Sequence, residues 1–100
     1  MEDFKKVLQN INVTEKNLKL NSNKVSAGDV FVAIKGANLD GHDYISEAVS
    51  RGAAYIICQD KKIFQENSFG KSTIIYVEDT KQALSIILDK IFGVIPEDFK

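Results

Sequence analysis

The feature that most constrains the fold is a continuous apolar run from Val30 to Ile34, VFVAI. An unbroken apolar run is typical of a strand buried on both faces, whereas a half-exposed strand alternates apolar and polar residues. Two later runs, Ala53 to Cys58 and Thr73 to Val77, share this pattern. The three runs therefore predict buried strands, and the first is predicted to lie centrally in the sheet.

A helix is predicted between the first two runs. Asp43 can cap a helix from Tyr44 to Arg51, and Gly52 can end it. A strand, a helix and a second strand in this order form a βαβ unit, in which parallel pairing is strongly favoured. We therefore expect an α/β fold: a small three-layer domain with a mixed, largely parallel central sheet flanked by helices.

Two more helices and an edge strand complete the predicted fold. Glu2 to Gln9 has the pattern of a short amphipathic helix. Its inward side would carry Phe4, Val7 and Leu8. Lys16 to Ser22 alternates polar and apolar residues, which predicts a strand near the sheet edge. Residues 59–72 predict a helical turn and a loop, and Lys81 to Phe92, behind a Thr80 cap, predicts a long helix.

Length and charge exclude several classes of function. A chain of 100 residues predicts one domain, which we place at residues 1–93, with 94–100 as a linker to a further domain. The net charge of −1 gives no electrostatic footprint for nucleic acid, and the apolar runs are too short to span a membrane. Cys58 is the only cysteine and no signal peptide is evident, so we expect a cytoplasmic protein.

The residues that could carry chemistry form no catalytic or metal-binding pattern. His42 is the only imidazole, and neither a zinc site nor a Ser/His/Asp triad can be assembled around it. We expect it to form hydrogen bonds within its loop, with Asp40 and Asp43 in turn and cap roles. Tyr44 and Cys58 are predicted to be buried. Catalytic residues, metal ligands and cofactors are thus expected to be absent from this chain.

The loop from Lys35 to His42 is the predicted binding site. It leaves the end of a central strand and enters a helix, which is where α/β proteins collect ligands. Gly36 and Gly41 would let the backbone approach a bound molecule closely. Periodicity and composition leave the ligand itself unnamed.

A resemblance extends this prediction. The stretch GDVFVAIKGANLDGHDYISEAVSRGAAYIIC, residues 28–58, resembles the amino-terminal domain of the Mur ligases of the MurE type. In that family a GD-(L/I/V)-FVA strand leads through G-x-x-x-DGH-x-(Y/F)-I to an A-x-x-x-GA helix end. The resemblance extends from near Leu18 to Phe92.

The resemblance also implies site residues. The family's contacts to uridine diphosphate correspond to Leu20, Ser22, Ala37, Asn38 and Leu39. Supporting roles would go to Lys24, Gly36, Asp40, Gly41 and His42. The family usually has Asp-Ser-Arg where this chain has Asn21, Ser22 and Asn23, so both charges of that motif are absent here. Lys24 could replace the arginine as a point charge.

The implied function is substrate binding within a larger enzyme. The domain would bind the uridine diphosphate part of UDP-N-acetylmuramoyl-L-alanyl-D-glutamate. The central and C-terminal domains of the parent ligase, with ATP and Mg²⁺, would add L-lysine or meso-diaminopimelate during peptidoglycan precursor synthesis. The chain alone would be inactive. Two alternatives remain: the equivalent domain of a MurF-type ligase, and a stand-alone nucleotide-binding or interaction module that reuses the fold.

Overall fold

A four-stranded sheet flanked by helices forms the fold. The structure is a computed structural model that describes residues 2–66 and 70–93. The strands are β1 (Leu18–Lys19), β2 (Val30–Val32), β3 (Tyr55–Cys58) and β4 (Thr73–Tyr76). The helices are α1 (Glu2–Gln9), α2 (Ile45–Ser50), α3 (Lys61–Glu66) and α4 (Thr80–Phe92). Within the described ranges, no helix has the length and apolar character needed to cross a membrane.

The sheet is all-parallel in the described part of the chain, with the order β1-β2-β3-β4. The α/β class, the largely parallel sheet and the parallel βαβ unit are confirmed, while the described strands form no antiparallel pair of the kind that a mixed sheet would contain. Each strand connects to the next by a crossover rather than a hairpin, so each re-enters the sheet in the same direction. This topology brings the ends of β2, β3 and β4, and the loops that follow them, to one edge.

Two apolar clusters, one on each face of the sheet, confirm the three-layer prediction. Val30 and Val32 of β2 face the layer that α1 and α4 form, together with Phe4, Leu8 and Ile87. Neighbouring strand residues face the opposite layer with α2, where the cluster contains Phe31, Ile56, Cys58, Ile45 and Ala48. All three residues of β2 are buried, as the unbroken apolar run predicts.

The predicted edge strand is shorter than expected. Only Leu18 and Lys19 pair with β2, although the alternating pattern predicted a strand from Lys16 to Ser22. The chain leaves the sheet because Asn21 caps a 3-10 helix, Ser22–Lys24, by accepting a hydrogen bond from the Asn23 backbone N–H. Leu20, which leads into that helix, is therefore 49 % exposed.

The helix after the glycine loop also begins differently from the prediction. A 3-10 helix, Gly41–Tyr44, precedes α2, and its cap is Asp40, which accepts from the His42 backbone N–H at 2.9 Å. The expected Asp43 cap was therefore wrong, because the 3-10 turn starts the helical path before Asp43 is reached. Tyr44 stands at the junction of the two helices and is 42 % exposed, which corrects its predicted burial.

The long helix α4 is confirmed, with a corrected cap. Asp79 accepts hydrogen bonds from the first backbone N–H groups, while Thr80 lies inside the helix. Gly93 ends the helix with φ 77°, the left-handed conformation that glycine adopts without strain. Lys90 joins α4 to α1, because its Nζ donates to Leu8 O at 2.6 Å and to Ile11 O at 2.8 Å.

The remaining predictions have mixed outcomes. On α1, Phe4 and Leu8 are buried as expected, but Val7 is 39 % exposed. The polar stretch after β3 contains α3, which agrees with the predicted helical turn. Cys58 is buried in the core. The predicted linker, residues 94–100, lies outside the described residues, and the proposed domain boundary stays a prediction.

Candidate functional site

A groove of about 500 Å³ lies beside the carboxyl end of β2. One wall is formed by the segment that follows β1, and the other by the glycine loop and the start of α2. Its lining residues are Leu20, Asn21, Ser22, Asn23, Phe31, Ile34, Leu39, Gly41, Tyr44 and Glu47. The volume is within the range of sites for small molecules and cofactors.

The structure brings together part of the predicted site. Leu20, Ser22 and Leu39, which are far apart in sequence, all line the groove, and so does Gly41. Lys24 is exposed but is not among the lining residues. Three of the five residues predicted to contact uridine thus lie in one groove, although they come from two distant chain segments.

The other predicted residues lie elsewhere on the same loop. Gly36, Ala37 and Asn38 are exposed at the loop tip and do not line the groove. Asp40 and His42 line a separate cavity of about 240 Å³ with Lys35, Gln59, Asp60 and Lys61. The loop therefore separates two cavities, with its leucine on one side and its histidine on the other.

The groove carries a rim of exposed apolar side chains. Leu20, Leu39 and Tyr44 are 49 %, 68 % and 42 % exposed. Single exposed leucines are ordinary, but several exposed apolar side chains that line one concave surface are a common mark of ligand binding. The rim gives the groove apolar walls suited to a flat ring.

The glycine loop is held by backbone hydrogen bonds to itself and to the end of β2. The Gly36 N–H donates to Leu39 O at 2.8 Å, and the Gly41 N–H donates to Ile34 O at 2.8 Å. A single antiparallel bridge joins Lys35 to Asp40. These bonds give the loop a hairpin-like form, which presents Leu39 to the groove.

Gly41 is needed at its position for space. A Cβ there would lie 2.7 Å from Ile34 N and 3.1 Å from Ala33 Cα. Real Cβ atoms essentially never come so close to a backbone atom. Gly41 therefore lets the loop pack against the backbone at the end of β2, while the predicted close approach to a bound molecule stays a prediction.

A polar contact joins the two walls of the groove. Ser22 is buried, and its hydroxyl donates a hydrogen bond to the Glu47 carboxylate on α2. Ser22 O also accepts from the Val25 N–H, which closes the 3-10 turn. Ser22 is thus fixed in place by its backbone and by its side chain.

His42 links the glycine loop to the neighbouring strand and to α4. Its Nδ1 lies 2.7 Å from Asp40 Oδ1, and its Nε2 accepts from the Gln59 backbone N–H at 2.9 Å. Because a carboxylate only accepts and a backbone N–H only donates, Nδ1 donates to Asp40 while Nε2 accepts from Gln59. Gln59 Oε1 in turn accepts from the Thr80 N–H and hydroxyl. This Asp40–His42–Gln59–Thr80 network extends the hydrogen bonding predicted for His42 well beyond its loop.

The pKa of Asp40 lies below its ordinary value. Desolvation acts to raise it, but hydrogen bonds from the His42 backbone N–H and ring, with the nearby positive charge of Lys35, lower it by more. Burial in the core instead raises the pKa of the Cys58 thiol. Among residues 2–66 and 70–93, no three His, Cys, Asp or Glu side chains form a group that could hold a metal ion.

Sequence reasoning missed several residues of the groove. Tyr44 and Glu47 were not predicted as site residues, although they lie three positions apart, the spacing that places side chains on one helix face. Phe31 and Ile34 come from the central strand, where they had been assigned to the core alone. The helical spacing of residues in the segment that follows the predicted loop was the one signal that could have identified Tyr44 and Glu47.

Comparisons with known proteins identify the family of this chain. A family model described as "Mur ligase family, catalytic domain" matches residues 15–91. A UDP-N-acetylmuramoyl-L-alanyl-D-glutamate–2,6-diaminopimelate ligase of Clostridium perfringens is 35 % identical over 91 residues, covering 91 % of this chain and 18 % of the relative. The ligase of the same name from Rickettsia felis is 40 % identical over 96 residues, covering 96 % of this chain and 17 % of the relative.

A solved structure shows the same fold. The crystal structure of MurF ligase from Thermotoga maritima in complex with ADP has a TM-score of 0.61 and 36 % identity, covering 74 % of this chain and 16 % of that one. This chain therefore spans less than a fifth of the length of the proteins it matches. With the family model matching well over half of its residues, the chain belongs to the Mur ligase family, in which its fold corresponds to the amino-terminal domain.

Proposed function

We propose that this domain binds the uridine end of UDP-N-acetylmuramoyl-L-alanyl-D-glutamate for an ATP-dependent Mur ligase. The observation that carries the proposal is the groove in which Leu20, Ser22 and Leu39 meet. Those residues correspond to positions at which the family contacts its nucleotide. The diaminopimelate ligases among the relatives act, by their names, on this muramoyl dipeptide.

The chemistry of the groove suits a uracil ring. A flat, uncharged ring gains from apolar walls, which Leu20, Leu39 and Tyr44 provide. It also needs a few directional hydrogen bonds, for which Ser22 and the backbone near Gly41 are within the groove. Ala37 and Asn38, which are exposed on the same loop, are proposed to contribute further contacts to the nucleotide.

The domain's contribution to catalysis is positioning. Holding the nucleotide end of a long substrate lets binding energy orient the remote carboxylate at which the ligase reaction occurs. ATP, Mg²⁺ and the incoming amino acid would bind the central and C-terminal domains of the parent enzyme. The isolated chain is accordingly proposed to be inactive, and the parent enzyme to be cytoplasmic, where its nucleotide substrates are found.

The relatives favour diaminopimelate over lysine as the amino acid that the parent enzyme adds. Both curated ligases described above are named for 2,6-diaminopimelate. A MurF-type parent is the second candidate, since the Thermotoga maritima MurF structure is 36 % identical over the shared region. Ligase assays of the parent enzyme with the dipeptide and tripeptide substrates would separate the two.

The test of nucleotide binding is an NMR titration of the isotope-labelled chain. UDP, followed by UDP-N-acetylmuramoyl-dipeptide, should shift the amide signals of Ser22 and residues 37–39 saturably. Leu20→Ala should weaken binding, while the control Val7→Ala, which also trims an exposed apolar side chain but outside the groove, should not. Saturable shifts confined to another surface, or no shift at millimolar ligand, would contradict the proposal.

A further inference from the structure

The groove contains one charged side chain among its described lining residues, and that charge is negative. Glu47 faces the groove from α2, and its carboxylate accepts a hydrogen bond from the hydroxyl of the buried Ser22. The rest of the lining is apolar or uncharged. A carboxylate is unexpected in the wall of a site whose ligand carries a diphosphate. The hydrogen bond between Glu47 and Ser22 indicates how this carboxylate would affect the ligand.

The contact with Glu47 fixes which hydrogen-bonding role Ser22 can take. A serine hydroxyl has one proton and two lone pairs, and an ionised carboxylate can only accept. With its proton directed at Glu47, the Ser22 hydroxyl presents lone pairs to a ligand and no donor. A ligand atom that hydrogen-bonds to this hydroxyl must therefore be an N–H or O–H donor.

A nucleoside diphosphate has such donors at one end only. The uracil ring carries an N3–H and the ribose carries two hydroxyls, whereas ionised phosphate oxygens accept but do not donate. A phosphate near Glu47 would face like-charge repulsion and could not accept a hydrogen bond from the Ser22 hydroxyl. The bonding thus distinguishes the two ends of the ligand.

We propose that Glu47 is a positioning residue that makes the Ser22 hydroxyl a hydrogen-bond acceptor, an inference that rests on the proposed uridine site. The groove then takes the uncharged nucleoside through one of its N–H or O–H donors and leaves the diphosphate outside. Glu47 thereby sets the direction in which the nucleotide enters. If Glu47 only joined α2 to the 3-10 helix Ser22–Lys24, its replacement would change the stability of the domain but not its ligand selectivity.

The test compares uridine with analogues that each lack one donor: 3-methyluridine, 2′-deoxyuridine and 3′-deoxyuridine. NMR titrations of the wild-type chain should show one analogue binding about fivefold to tenfold more weakly than uridine, the effect of one hydrogen bond. Glu47→Ala, which frees the hydroxyl to rotate, should reduce this ratio to about twofold. In Ser22→Ala the analogue should bind as tightly as uridine, and adding Glu47→Ala to this variant should not change the affinity ratio further.

Two further variants and one anion complete the design. Glu47→Gln keeps an oxygen that accepts the Ser22 proton, so it should retain the selectivity that Glu47→Ala loses. Glu15→Ala removes an exposed carboxylate outside the groove and should behave as wild type. Inorganic pyrophosphate should leave the Ser22 and Glu47 amide signals of the wild-type chain unchanged.

The outcomes separate this proposal from the proposed function. Three results would overturn the role of Glu47 while leaving the proposed function intact, provided that UDP still binds in the groove. They are full selectivity in Glu47→Ala, equal binding of uridine and all three analogues, and a shift of the Ser22 amide signal on addition of pyrophosphate. Failure of the wild-type chain to bind uridine or UDP would overturn both.

Discussion

Replacing Gly41 with alanine should destabilise the domain and distort the groove. The new Cβ would lie 2.7 Å from Ile34 N and 3.1 Å from both Ala33 Cα and Ile34 O. All three atoms belong to the backbone at the end of β2, so no side chain can rotate away to relieve the contact. The loop must move instead, which would strain the 2.8 Å hydrogen bond from the Gly41 N–H to Ile34 O.

The expected cost is that of overpacking a rigid site, about 2 kcal/mol in the free energy of unfolding. For a domain of this size, such a loss lowers the melting temperature by roughly 10 °C. Thermal and urea unfolding followed by circular dichroism would measure it. The amide signals of Leu39 and Tyr44 should also shift in the unliganded protein, because the loop carries Leu39 into the groove.

Gly36→Ala is the matched control for this change. It lies on the same loop, and its Cβ would meet only Leu39 O, at 3.2 Å. Both substitutions restrict the unfolded chain equally, so their difference reports contacts in the folded state. Gly36→Ala should change stability by no more than about 0.5 kcal/mol. Equal stabilities for the two variants would refute the steric argument for Gly41.

Three further predictions concern stability and reactivity. Lys90→Met should lower the free energy of unfolding by about 1–2 kcal/mol, because it removes two hydrogen bonds from Nζ to the carbonyls of Leu8 and Ile11; an unchanged urea midpoint would contradict this. Cys58, buried with a raised thiol pKa, should react with a thiol reagent only at the rate of unfolding, and prompt labelling of the native chain would show that its burial is wrong. Asp40→Asn should be less stable than wild type at neutral pH, and the difference should shrink as the pH falls below about 3.8. The sign follows because a pKa lowered in the folded state stabilises the protein only while the carboxylate is ionised, so a difference that persists or grows in acid would contradict the assignment.

The sheet could be predicted because its signal is local and redundant. The run at β2 is apolar at every position, and its burial on both faces requires no knowledge of its partners. The helix α4 was equally predictable from its apolar stripe and from Gly93. Helix starts were less predictable, because Asp and Thr residues stood close together and each could serve as a cap. The structure uses Asp79 and Asp40 where Thr80 and Asp43 were expected.

The groove was predictable only in part, since it depends on contacts between distant segments. The glycine loop could be placed at the end of a central strand, and the family resemblance supplied Leu20, Ser22 and Leu39. The bond between Ser22 and Glu47 spans 25 positions and carries no sequence signature. The βαβ pattern predicted that β2 and β3 pair, but no sequence pattern predicted the hydrogen bond from the Gln59 N–H to His42.

The central claim, that uridine lies between Leu20 and Leu39, is tested most directly by intermolecular nuclear Overhauser effects. The chain, labelled at its leucine, isoleucine and valine methyl groups, would be saturated with UDP, and transfer from the uracil H5 and H6 protons would be recorded. We predict transfer to the methyl groups of Leu20 and Leu39 and none to those of Val7. Transfer to methyl groups outside the groove, with none to either leucine, would contradict the account.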